Sequence, residues 1–199
     1  MSEKHVYGFG PGMTDGDAEM KNLLGGKGAN LAEMSKLDIP VPPGFTITTE
    51  VCTHFNENKQ SYPEDLETHM KSSLKDIEKR LGTVFGDPDN PLLLSVRSGA
   101  RTSMPGMMET VLNVGLNDFT RNGLIAQSGD PRFVYDAQRR LVQMYSDVVL
   151  EKAAGIQPEE GMGIRNQLEH ELEKMKEQVG VSEDTELSAT NLKDLVEIY

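Results

Sequence analysis

The sequence predicts an α+β fold, with an α/β part over residues 1–117 followed by a helical part over residues 118–199. Three observations carry this. Before residue 118, short alternating or continuously apolar runs interleave with stretches of helical periodicity. After it, apolar residues recur every three or four positions almost to the end. Glycine- and proline-rich segments separate the runs.

Val6–Phe9 reads as a strand and Gly10–Asp17 as a turn-rich loop. NLLGGKGANLAEM, residues 22–34, reads as a glycine loop opening a helix from Ala29 to Leu37. Ile39–Pro43 forces extended backbone, because proline cannot continue a helix and restricts its predecessor. Phe45, Ile47 and Thr49 alternate with Thr46 and Thr48, as in a strand. Leu66, Met70, Leu74, Ile77 and Leu81 mark an amphipathic helix within Pro63–Leu81, stopped by Gly82. Leu92–Val96 suits a buried strand that delivers Arg97 and Arg101 at its carboxyl end. Leu112, Val114 and Leu116 suggest a return strand ending at Asn117–Asp118.

Asp118–Ser128 reads as helical, and Pro131 opens a long helix broken by Gly155–Gly163. A further helix from Ile164 to Val179 stops at Gly180, and Ser182–Glu186 reads as a loose acidic turn. Ser188 or Thr190 caps a last helix, which meets no terminator before Tyr199. That ending suggests a longer protein.

A net charge of −12 excludes a general nucleic-acid or anionic-membrane binder, which needs a basic face. No apolar run approaches the roughly 20 residues of a membrane helix, and the first residues lack the pattern of a signal or transit segment. Cys52 stands alone, which rules out a disulfide framework or Cys-based metal site within the chain and fits a reducing, cytoplasmic compartment. Against that acidity, the interval between Glu19 and Glu33 holds Lys21 and Lys27 but no acid. Likewise, Asp89 to Glu109 encloses Arg97 and Arg101 and no acid.

GGKG is not a Walker loop, because Gly28 stands where Ser or Thr is required. GPGMTDG fails the dinucleotide pattern, its third glycine falling one place late. The lysine segment is therefore either another phosphate-binding device or a tight turn capping a helix. Arg97 and Arg101 suit bidentate phosphate binding or, equally, salt bridges to the abundant carboxylates. The loop that follows Arg97, SGARTSMPGMME (Ser98–Glu109), is small, polar and methionine-rich, and fits a segment that closes on a ligand. The four histidines share no ligand spacing, and only Glu109 and Asp118 offer carboxylates near the glycine-rich stretches, so no magnesium pair is visible.

LLGGKGANLAEMSKLDIPVPPGFTITTEVC (Leu23–Cys52), PLLLSVRSGARTSMPGMMETVLNVGLND (Pro91–Asp118) and DPRFVYDAQRRLVQMYSDVVL (Asp130–Leu150) closely resemble the amino-terminal region of the pyruvate, phosphate dikinases. The resemblance is weakest at residues 58–85 and 152–191. It implies an ATP-grasp-type subdomain, a mixed sheet with helices, followed by a truncated helical subdomain. Family members use ATP and phosphate to phosphorylate a histidine on a swivelling domain, giving AMP and pyrophosphate. That histidine passes its phosphoryl group to pyruvate in a barrel domain, giving phosphoenolpyruvate.

By resemblance, Lys27 and Arg97 contact the nucleotide phosphates and stabilise charge in transfer, and Arg101 assists or organises the loop. Thr102, Ser103, Met104 and Gly106 lie in the loop that covers the phosphates. Mg2+ ligands, the phosphohistidine domain and the pyruvate-binding barrel are expected outside this chain, which alone is incomplete for catalysis. A homodimeric parent enters as one option. The alternatives are a phosphoenolpyruvate synthase, in which water accepts the second phosphoryl group, and a non-catalytic nucleotide-binding module.

Overall fold

The computed structural model describes residues 3–99 and 109–199. They form an α+β fold of seven α-helices and two two-stranded antiparallel ladders, arranged as two compact units. The first lies within Met1–Gly82 and Ser98–Met108, the second within Thr83–Arg97 and Glu109–Tyr199. The second unit takes in both sides of the 117/118 boundary expected from the sequence, because the strand Thr110–Val114 packs on the helix Pro131–Tyr145.

In the first unit, β1 (Val6–Phe9) pairs antiparallel with β2 (Gly44–Ile47), from Val6 opposite Ile47 to Phe9 opposite Gly44. Helix α1 (Lys21–Lys36) lies between them in sequence, and α2 (Thr49–Glu57) and α3 (Leu66–Leu81) follow. Val6, Val51 and Leu66 form the buried centre, flanked by Phe45 and Met70. The strand expected to run to Thr49 instead stops at Ile47. Thr48 turns the chain, its N–H donating to the His5 carbonyl, and α2 begins with Val51 turned into the core. Alternation of threonines alone could not show this turn. Helix α3 ends as expected at Gly82, whose φ of 69° supplies the left-handed cap.

In the second unit, β3 (Leu94–Arg97) pairs antiparallel with β4 (Thr110–Val114). The described strands therefore form two separate antiparallel ladders rather than the mixed sheet expected by resemblance. Nor is β3 fully buried: Leu92, just before it, is buried, but Val96 is 54% exposed. Antiparallel hairpins commonly leave one face to solvent, so a largely apolar run does not by itself imply burial on both faces. Gly115, at a φ of 110°, closes the strand end where a Cβ would stand 2.8 Å from the Leu92 carbonyl oxygen.

Helices α4 (Arg121–Ser128) and α5 (Pro131–Tyr145) follow, the latter capped by Asp130, which accepts from the Phe133 N–H at 3.0 Å. Helix α5 continues as a π-helix over Ser146–Lys152. Helices α6 (Ile164–Val179) and α7 (Ala189–Ile198) complete the unit, α7 capped by Ser188 through a reciprocal box with Asn191. Leu172, Leu187, Leu192 and Leu195 form one buried cluster; Leu116, Val134 and Ala137 form another. The acidic turn expected to be loose is tied down. Asp184–Glu186 is a 3-10 turn, and its Asp184 carboxylate accepts from Arg139 and Lys176 while its carbonyl accepts from Arg132.

The Tyr199 hydroxyl donates to the Leu168 carbonyl at 2.7 Å. Burial pushes this phenol above its ordinary value, and the Arg139 guanidinium offsets only part of the shift. The folded state thus holds the proton more tightly, so the stabilisation is complete below the unfolded value of about 10 and is lost as pH rises through the folded one. An alkaline unfolding titration is expected to show this step in the wild-type chain and to lose it in Tyr199→Phe.

Candidate functional site

The glycine segment is not an open loop before a helix. It lies inside α1, where only Gly25 leaves helical geometry, at φ 69° and ψ 169°. That region is accessible essentially to glycine alone. The helix kinks there and restarts, which places Lys27 in the first turn of the restarted segment. Gly28 meets a different demand: a Cβ there would lie 2.7 Å from Thr46 Cγ2 and 2.8 Å from Thr46 Oγ1, so its absence lets α1 pack on β2. Ala29 and Ala32, both buried, continue that face. The Thr49 hydroxyl donates to the Asn22 carbonyl at 2.6 Å, fixing the turn before the kink.

Lys27 Nζ donates to the Ser98 carbonyl at 3.2 Å. Glu33 accepts from the Ala18 N–H, and Asp17 pairs with Lys36. Among the described residues no carboxylate pairs with Lys27.

Arg97 belongs to the second unit. It is exposed at the end of β3, opposite Thr110 of β4, and among the described residues it too has no carboxylate partner. The ion-pair alternative read from the sequence therefore finds no support at Arg97. Arg101, Thr102, Ser103, Met104 and Gly106 lie outside the described residues.

Beside the start of β4, a cavity of about 520 Å3 is lined by Glu109, Thr110, Asp136, Arg140, Asp147 and Arg165, among others. Lys152 bridges two of its acids, at 2.7 Å to Glu109 and 2.9 Å to Asp147. These hydrogen bonds, Glu109 first, raise the Lys152 ammonium above its ordinary value. Asp136 pairs at 2.7 Å with both Arg139 and Arg140. Among the described residues no three His, Cys, Asp or Glu side chains converge as metal ligands would.

The sequence reading missed the Glu109–Lys152–Asp147 cluster. Asp136 and Arg140 stand four apart, a spacing that announces a helical pair. Asp147 and Lys152 stand five apart, which an ordinary helix would leave about 140° out of line. Only the wider π-helical turn brings them together.

The family "Pyruvate phosphate dikinase, AMP/ATP-binding domain" matches residues 21–62, which comprise α1, β2 and α2 with Lys27 among them. Pyruvate, phosphate dikinase 1, chloroplastic, of Arabidopsis thaliana is 50% identical over 200 residues, covering 100% of this chain and 19% of that protein. The chain is similar to these dikinases along its whole length. Bacterial dikinases agree: those of Rhizobium meliloti (strain 1021) and Clostridium symbiosum are 48% and 46% identical, each over 98% of this chain and 21% of their own length. The chain thus spans about a fifth of the dikinases it matches. Arg97 lies beyond the family match but within the aligned dikinase segments. Some of these dikinases are named chloroplastic; among the described residues here, no helix is long and apolar enough to cross a membrane.

Proposed function

We propose that this chain forms one wall of the ATP site of a pyruvate, phosphate dikinase, as part of an ATP-grasp-type nucleotide-binding domain. The observation that carries the reading is that Lys27 lies in the first turn of the helical segment restarted at Gly25, inside the AMP/ATP-binding family match and without a carboxylate partner among the described residues. Arg97, likewise without one, stands exposed at the end of its strand. In function, residues 1–117 supply the nucleotide-binding part and residues 118–199 the helical part; this is a division of role rather than of packing.

Phosphoryl transfer depends chiefly on positioning and charge neutralisation. Lys27, in the first turn of a restarted helix, presents a point charge where aligned N–H groups also favour an anion. Arg97 offers a planar fork for two phosphate oxygens. Arg101 with Thr102, Ser103, Met104 and Gly106 completes the assignment as the segment covering the phosphates. The Mg2+ ligands are assigned outside this chain, and no step is routed through the ion. The phosphohistidine and pyruvate-binding domains complete the reaction, in a homodimeric parent in a cytoplasmic-type compartment where Cys52 stays a free thiol.

The test is transfer of label from ATP to the enzyme in a full dikinase carrying this segment. Lys27→Met is expected to abolish ATP-dependent labelling while leaving labelling by phosphoenolpyruvate intact. Retained ATP-dependent labelling overturns the assignment. Release of orthophosphate without pyrophosphate would point instead to the synthase reaction.

A further inference from the structure

Arg97 sits at a weak place in the fold. The β3–β4 ladder slips register between Leu94 and Val96, leaving two paired positions at its far end, Val96 with Val111 and Arg97 with Thr110. Arg97 is the last residue of its strand and is exposed, so little of the ladder itself restrains it. Its cross-strand partner Thr110 follows Glu109 directly.

Glu109 is held from outside the ladder. Its carboxylate accepts from Lys152 Nζ at 2.7 Å, and the same ammonium donates to Asp147 at 2.9 Å. Asp147 is nearly buried, its side chain 12% exposed, with Arg165 at 3.9 Å as a further cation. The main chain presenting Lys152 is fixed in turn: the buried Glu151 carboxylate accepts from the Ile164 N–H at the start of α6. A packed π-helix therefore aims a charge at the residue beside Thr110. An ordinary helical turn would place residue 152 off the face of Asp147 and break this geometry.

We propose that Lys152 is a positioning residue for Arg97, clamping Glu109 against the π-helix so that Thr110 and its ladder partner Arg97 keep a fixed place. The clamp acts through the strand pair and Lys152 itself touches no substrate. The proposal rests on the phosphate-binding role assigned to Arg97 above.

The test compares Lys152→Met, which keeps length and loses charge, with Lys152→Arg in a full dikinase carrying this segment. Amide hydrogen exchange at the Val96–Val111 and Arg97–Thr110 pairs is expected to quicken about fivefold in Lys152→Met, as for loss of one contact in a charged network. The kcat for ATP-dependent histidine phosphorylation is expected to fall by a similar factor with a smaller change in KM for ATP, and Lys152→Arg is expected to restore both. Unchanged exchange at those pairs overturns the proposal. So do faster exchange with an unchanged kcat, failure of Lys152→Arg to restore, and an equal quickening in α7, which would mean general loosening. Arg97→Ala run in parallel separates the two levels. If it keeps ATP-dependent labelling, the role of Arg97 falls, and the exchange measurement alone decides whether Lys152 holds the hairpin.

Discussion

Arg97→Ala in a full dikinase is expected to lower ATP-dependent phosphorylation of the enzyme by about a hundredfold to a thousandfold, the usual loss when one preorganised charge donor is removed from a transition state. The fold should not notice. Arg97 is exposed and has no carboxylate partner among the described residues, so its truncation lies among surface changes worth less than about 0.5 kcal/mol. Thermal melting and labelling by phosphoenolpyruvate are expected to match the parent, which separates loss of chemistry from loss of structure. Arg97→Lys should recover only part of the rate, because an ammonium cannot reproduce a two-pronged guanidinium contact. A full rate in Arg97→Ala would show that nucleotide phosphates are neutralised elsewhere.

The largest effect on stability is expected from Leu192→Ala. Leu192 is fully buried among Leu172, Leu187 and Leu195, with Met175 and Tyr199 packed at the edge. Removing its side chain loses transfer free energy and leaves a cavity, together costing about 3 kcal/mol. At a few degrees per kcal/mol for a domain of this size, the melting temperature of the second unit should fall by about 10 °C. Thermal unfolding followed by helical circular dichroism measures it, and a shift under about 2 °C would show that this cluster is not the core that holds α7.

Much of the fold was legible because local chemistry and tertiary structure agree. Gly82 and Gly180 end helices with left-handed conformations, Ser188 and Asp130 cap them, and Pro131 opens one, each for the reason a sequence reader would give. The failures fall where context overrides pattern. Leu92–Val96 is apolar but for Ser95, yet only an antiparallel partner shows that Val96 faces out. Thr48 and Thr49 continue an alternation, yet a backbone bond to His5 turns the chain into α2. Ser182–Glu186 looks unconstrained by composition, yet Arg132, Arg139 and Lys176 converge on it from two helices. At the candidate site, Lys27 and Arg97 stood out because acids are missing around them. Lys152 did not, because its significance depends on a helical geometry that residue spacing conceals.

GGKG looks like one motif with three interchangeable glycines, but each answers to a different constraint. Gly25 is held by its dihedral angles, so any side chain there contends with the backbone. Gly28 is held by its neighbour Thr46, so a larger residue there contends with β2 and a smaller residue at 46 would relieve it. Gly26 adopts ordinary helical geometry and among the described residues has nothing within 4 Å of where a Cβ would stand. Alanine at 26 would even favour the helix by about 1 kcal/mol. A library varied at these three positions would therefore separate folding from recognition. Losses at 25 and 28 would appear as protein that does not fold, whereas at 26 any discrimination among side chains would come from whatever approaches the helix from outside.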